Sequence, residues 1–155
     1  MPYGWVRVTI CTPVPAATFT ISQQDRREKT VLSDSEIDQA KRTTKYSLAS
    51  PNHEHHDCIR IAYQWLDAQK KIKGATTKTM PLKHIIEKWG GRYVSESDVE
   101  VAAALHPEIR GTYPYFNISA RLTEPSKARL SSVSEAFKHV HHERHDPKIY
   151  SVHED

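Results

Sequence analysis

The stretch from Pro114 to Arg129 concentrates side chains that can grip nucleic acid. Arg121 has the forked donor geometry that pairs with the O6 and N7 of guanine, and Asn117 can pair in the same two-point fashion with adenine. Tyr115, Ser119, Lys127 and Arg129 are donors suited to phosphate oxygens, contacts that fix position without reading sequence. Two histidine-rich runs offer a second chemistry, His53-Glu54-His55-His56-Asp57-Cys58 and His139-Val140-His141-His142-Glu143-Arg144-His145. Neutral imidazole and thiolate are good ligands for zinc and its neighbours. His55 and Cys58, three apart, share a helical face, but no Cys-x-x-Cys or His-Glu-x-x-His framework accompanies them. These runs leave a metal undetermined, and no cofactor is expected.

Nucleophilic catalysis has less support. There is no Gly-x-Ser-x-Gly elbow, no phosphate loop and no dinucleotide fingerprint, so no catalytic residue is assigned. Cys58 next to His55 and His56 has the makings of a thiolate pair, but it falls on the inward face of a helix, where a thiol is buried and inert.

These residues need elements to hold them. Ser33 and Glu36 are spaced as a capping box and open a short helix through Arg42, with Ile37 and Ala40 facing inward. From Glu54 to Lys73, Cys58, Ile61, Ala62, Trp65, Leu66, Gln69 and Ile72 recur at steps of three and four, which predicts an amphipathic helix. Lys70, Lys71 and Lys73 then suit the negative end of its dipole, and Gly74 ends it. Pro81 opens a second helix in this body, with Leu82, Ile85, Ile86 and Trp89 inward and Gly90-Gly91 as its stop. A third is expected from Ser97, capped with Glu100, to Pro107. Its alanines allow a close neighbour and place it centrally.

Pro114 to Leu122 reads as a fourth helix with Tyr115, Ile118 and Leu122 on one side, and Pro125 to Val140 as a last one. The third and fourth, with the turn between, match a helix-turn-helix in outline. The connection from Leu105 to Pro114 is longer than the compact motif allows and suits a winged-helix relative.

Upstream, Trp5 to Cys11 and Ala17 to Ile21 alternate as strands do and predict a short hairpin or a loose arm. The resulting expectation is a mainly α chain. Residues 1–50 form an N-terminal arm with a β-hairpin and short helix, 51–145 a compact bundle of four or five helices, and 146–155 a polar tail. An apolar fraction of 37%, against the ~45–50% of ordinary domains, means that some of it is loose. Trp65 and Trp89 are the expected hub of the core.

No apolar run approaches the length that crosses a bilayer, so no membrane is expected. The start, Met1-Pro2-Tyr3-Gly4-Trp5, lacks a basic region followed by an apolar one, which predicts a cytoplasmic protein with free thiols. The net charge of +3 with ten neutral histidines permits a nucleic-acid partner without requiring one. The leading expectation is a small regulatory nucleic-acid-binding protein using the helix-turn-helix-like region, a binder rather than an enzyme. The alternative is a non-catalytic adaptor or inhibitor that binds a protein through its arm, where Trp5 and Arg26-Arg27-Glu28-Lys29 lie. A small metal-dependent enzyme comes third. The nucleic-acid reading requires Arg121, Lys127, Arg129 and the Lys70 to Lys78 cluster to share one surface.

Overall fold

In the computed structural model, residues 32–139 and 145–154 are described. The expected hairpin over residues 3–21, Trp5 and Cys11 lie outside them. The first described helix, α1, spans Asp34–Thr43 and begins at the expected box: the Ser33 hydroxyl accepts from Glu36 N while the Glu36 carboxylate accepts from Ser33 N at 2.9 Å. Acidic residues in its first turn and Lys41 and Arg42 in its last complement the helix dipole. Ile37 and Ala40, one turn apart, enter the hydrophobic core shared with the later helices.

Helix α2 covers His56–Ala68, with His55 as its cap accepting from Asp57 N. Its helical repeat buries Cys58, Ile61, Ala62, Trp65 and Leu66. It stops five residues short of the expected Lys73. The Gln69 amide nitrogen donates to Trp65 O at 3.0 Å and Thr123 O at 2.8 Å, while its oxygen accepts from Thr123 N at 3.0 Å. These bonds draw the backbone out of the helix, and the following lysines join a β-type pairing instead.

Helix α3, Leu82–Gly90, ends on Gly91 in the left-handed conformation, φ 63°. It buries Leu82, Ile86 and Trp89, and the Trp89 indole donates to Pro125 O at 3.0 Å. Gly90 lets α3 approach α2 closely, since a Cβ there would collide with the Ile61 side chain. Helix α4, Glu96–Leu105, is capped two residues earlier than expected, by Ser95 with Asp98 at the third position. Asp98, two residues before Glu100, supplies the carboxylate that completes the reciprocal pair. Small residues let α4 make its broadest helix contact with α2, and it also packs on α1.

Neither helix expected after Leu105 forms. Gly111–Thr112 (β1) and Tyr115–Phe116 (β2) make a two-residue antiparallel hairpin across a cis Tyr113–Pro114 bond. Thr123–Glu124 (β3) pairs in parallel with Val152–His153 (β4). Between them Lys127–Leu130 makes one tight 3₁₀ turn, and Leu130, Val133 and Tyr150 plug the core. The apolar spacing at Tyr115, Ile118 and Leu122 mimics a helix, but pairing with distant backbone decides the conformation. The described residues are thus mainly α, four helices with two small strand pairs, and no helix is long and apolar enough to cross a membrane.

Candidate nucleic-acid interface

The segment leaving α2 lies antiparallel to the segment leaving β2. Ile72 N donates to Asn117 O at 2.9 Å and Ser119 N to Lys70 O at 2.8 Å, which makes Lys71 and Ile118 directly opposed. On the other side of the same segment, Asn117 N donates to Arg110 O at 3.0 Å. The Asn117 side chain reinforces this. Its oxygen accepts from Arg110 N at 2.6 Å and its amide donates to Glu108 O at 2.9 Å. Three chain segments therefore form a narrow ribbon, 70–72, 115–119 and 110–112.

The alternation of side chains along paired strands sorts the ribbon into two faces. Phe116 and Ile118 point into the core and are buried. Lys71 shares their side, half-buried, with its ammonium donating to Asp67 O at 2.6 Å. Burial pushes its pKa down, and the charges of Asp67 and Glu108 pull it back. The outer face carries Lys70, Ile72, Arg110, Thr112, Tyr115 and Ser119 around the buried Asn117. An open cleft of about 470 Å³ lies beside the ribbon, lined by Lys71, Ile72, Lys73, Pro107, Glu108, Arg110 and Asn117.

Most arginines elsewhere are already neutralised. Arg60 is bound by Asp34 and Asp57, Arg92 by Glu54 and Glu135, and Arg129 by Asp67 and Glu154. Among the described residues, no carboxylate lies within ion-pair distance of Lys70, Lys73, Arg110 or Arg121. Glu108 is the one acidic residue among those lining the cleft.

The residues singled out from sequence divide accordingly. Tyr115, Asn117 and Ser119 come together on the ribbon, and Arg121 follows directly, its N–H bonded to the Ser119 hydroxyl at 3.2 Å. Asn117 is buried and its side chain is spent on main-chain groups, so it organises the ribbon rather than presenting an amide outward. Lys127 and Arg129 stand on the 3₁₀ turn. The Lys127 ammonium is 5.6 Å from the centre of the Phe137 ring, and Arg129 is locked between the Asp67 and Glu154 carboxylates, so neither joins the lysines at the cleft and the single shared surface expected of Arg121, Lys127, Arg129 and the Lys70 to Lys78 cluster is not formed as a whole. Arg110 was not singled out, and Ile72, expected on the inward face of a helix, lies past the helix end and exposed, because their place arises from non-local pairing that leaves no local pattern.

The histidines are engaged structurally. His53 Nδ1 is 2.7 Å from the buried Asp98 carboxylate and its Nε2 is 3.0 Å from the Tyr46 hydroxyl, which itself donates to Lys41 O at 2.8 Å. Burial pushes the Asp98 carboxyl up, against the pull of its His53 and Ser95 hydrogen bonds. His56 bridges Asp34 and Asp38, fastening α1 to α2. His145 and His153 both meet Glu124. Burial pushes the Cys58 thiol up to about 12. No group of three or more His, Cys, Asp or Glu side chains among the described residues is arranged to hold a metal ion, and His141 and His142 lie outside them. Comparison with family models, curated proteins and solved structures finds no match to the chain.

Proposed function

We propose that the protein is a small regulatory nucleic-acid-binding protein that grips phosphates with the ribbon of residues 70–72, 110–112 and 115–119. One observation carries this reading: the antiparallel pairing of Lys70–Ile72 with Asn117–Ser119 borders an open cleft that Lys71, Lys73 and Arg110 line, with Lys70 and Arg121 on the adjoining chain, while Arg60, Arg92 and Arg129 are matched by acids. Uncompensated cations on one surface repel each other in the free protein. A polyanion relieves that repulsion and releases its own counterions on binding. Of the helix-turn-helix outline only the first helix, α4, is present, so the contact is made by extended chain and not by a helix laid in the major groove.

The test is a fluorescence titration of the full chain with labelled oligonucleotides across a salt series. Binding tighter than ~10⁻⁴ M at low salt, weakening linearly in log Kd against log salt, is expected. Replacing Lys73 or Arg110 by Ala should lower the slope by roughly one unit each. Absence of binding to any oligonucleotide at low salt would sink the reading and leave the protein-binding adaptor in its place.

A further inference from the structure

Resting on that reading, we infer that the ligand is single-stranded nucleic acid, with the exposed faces of Tyr115 and Ile72 serving as a platform on which bases stack. Both side chains belong to the outer face of the ribbon and are large, apolar and exposed, 41% for Tyr115 and 37% for Ile72. The register explains why they share that face. Tyr115 opposes Thr112 in the hairpin, Arg110 lies two residues before Thr112, and Asn117, two residues after Tyr115, is flanked by Arg110 on one side and Ile72 on the other. Lys70 alternates onto the same face two residues before Ile72. Lys73 lines the cleft with Ile72 and Arg110.

A duplex offers phosphates to such a surface but hides its base faces in the stack, so Tyr115 and Ile72 would gain nothing from it. A single strand presents both a charged backbone and bare aromatic faces, the combination that cations interleaved with an exposed ring are suited to bind. Tyr115 is also held in place beforehand. Its hydroxyl and that of Thr79 are 3.1 Å apart, and Thr76 N donates to Phe116 O at 3.0 Å, so the loop leaving Lys73 braces the platform. A ring ordered before binding loses less freedom when a base docks.

Fluorescence anisotropy with a labelled thymidine oligonucleotide, the matching RNA and a duplex of equal length tests this on the full chain. The single strands should bind about tenfold or more tighter than the duplex. Tyr115→Ala should weaken single-strand binding by about ten- to a hundredfold, with the salt slope unchanged, whereas Tyr115→Phe should retain most of the affinity. Ile72→Ser provides an independent variant should Tyr115→Ala melt early, and should cost several-fold in the same assay. Equal or tighter binding of the duplex, or single-strand affinity indifferent to Tyr115 and Ile72, would overturn the stacking platform while leaving phosphate binding intact. Failure of both single and double strands to bind overturns phosphate binding as well.

Discussion

Arg129 grips Glu154 with two of its nitrogens at 2.7 Å each and reaches Asp67 with the third at 2.8 Å. Asp67 also accepts from His106 Nε2 at 2.8 Å, and since His106 Nδ1 accepts from Glu108 N, the ring proton lies on Nε2. One guanidinium thus joins the end of α2, the 3₁₀ turn and the segment after β4. Arg129→Ala should lower stability by about 1–2 kcal/mol in denaturant melts, as expected for loss of charge-assisted hydrogen bonds. The slope of nucleic-acid affinity against salt should not change. A drop of about one unit in that slope would return Arg129 to the interface.

Acid should unfold the protein through its engaged carboxylates. The His106 and Arg129 hydrogen bonds hold Asp67 well below its ordinary 3.8, and the Arg129 pair lowers Glu154 from 4.5. Asp57 and Glu124 are also lowered, by Arg60 and Ser134 and by the two histidines respectively, against the opposing effect of burial. Such groups bind protons more weakly folded than unfolded. Their stabilisation is complete above the unfolded values and drains as pH falls through the folded ones. Asp98, raised by burial, has the opposite sign, and its contribution is lost as pH rises above 3.8. Thermal melts from about pH 6 to about pH 2.5 should show Tm falling, with the steepest loss below about pH 4. A Tm that rose on acidification would show Asp98 to outweigh the others.

Gly111 is needed as glycine. Its φ is +105°, and a Cβ there would run into the Tyr115 carbonyl oxygen across the hairpin. Gly111→Ala should therefore cost about 1 kcal/mol or more, and should also weaken oligonucleotide binding by displacing Arg110 relative to Tyr115. Unchanged melting and unchanged affinity together would refute the hairpin geometry.

The core is testable at the Trp65 indole, which is fully buried and donates to the Tyr150 hydroxyl at 3.1 Å. Trp65→Ala should cost about 3–5 kcal/mol through lost transfer energy and the cavity left behind. Tyr150→Phe should cost about 1–3 kcal/mol by leaving a buried N–H without its acceptor. Urea melts should rank the two in that order.

Cys58 should resist alkylation in the folded protein at neutral pH. Burial raises its pKa to about 12, so almost none is thiolate. Mass spectrometry of the Cys58 peptide after iodoacetamide should find modification only when denaturant is added.

The helices were legible because their signals are local. The Ser33 box, the one-face repeat from Cys58 to Leu66 and the Pro81 and Gly91 boundaries each specify structure within one or two turns of chain. The ribbon was not, because Lys70 and Ser119 meet across two intervening helices, and Tyr115, Ile118 and Leu122 have apolar spacing that fits a helix as readily as a turn between strands. The lysines after Ala68 illustrate the ambiguity: they suit a helix terminus electrostatically, yet the Gln69 side chain ends the helix first. Tyr115 and Ser119 were picked as candidates by side-chain chemistry alone, whereas Arg110 becomes a candidate only through the pairing that brings it beside Asn117.

The bond between Trp65 and Tyr150 spans 85 residues of chain. During synthesis at about 5–20 residues per second, roughly 4–17 s separate the appearance of the indole from that of its partner. Throughout that interval the Trp65 N–H lacks the acceptor it has in the finished fold. Closing this bond therefore waits until the chain has been made through Tyr150.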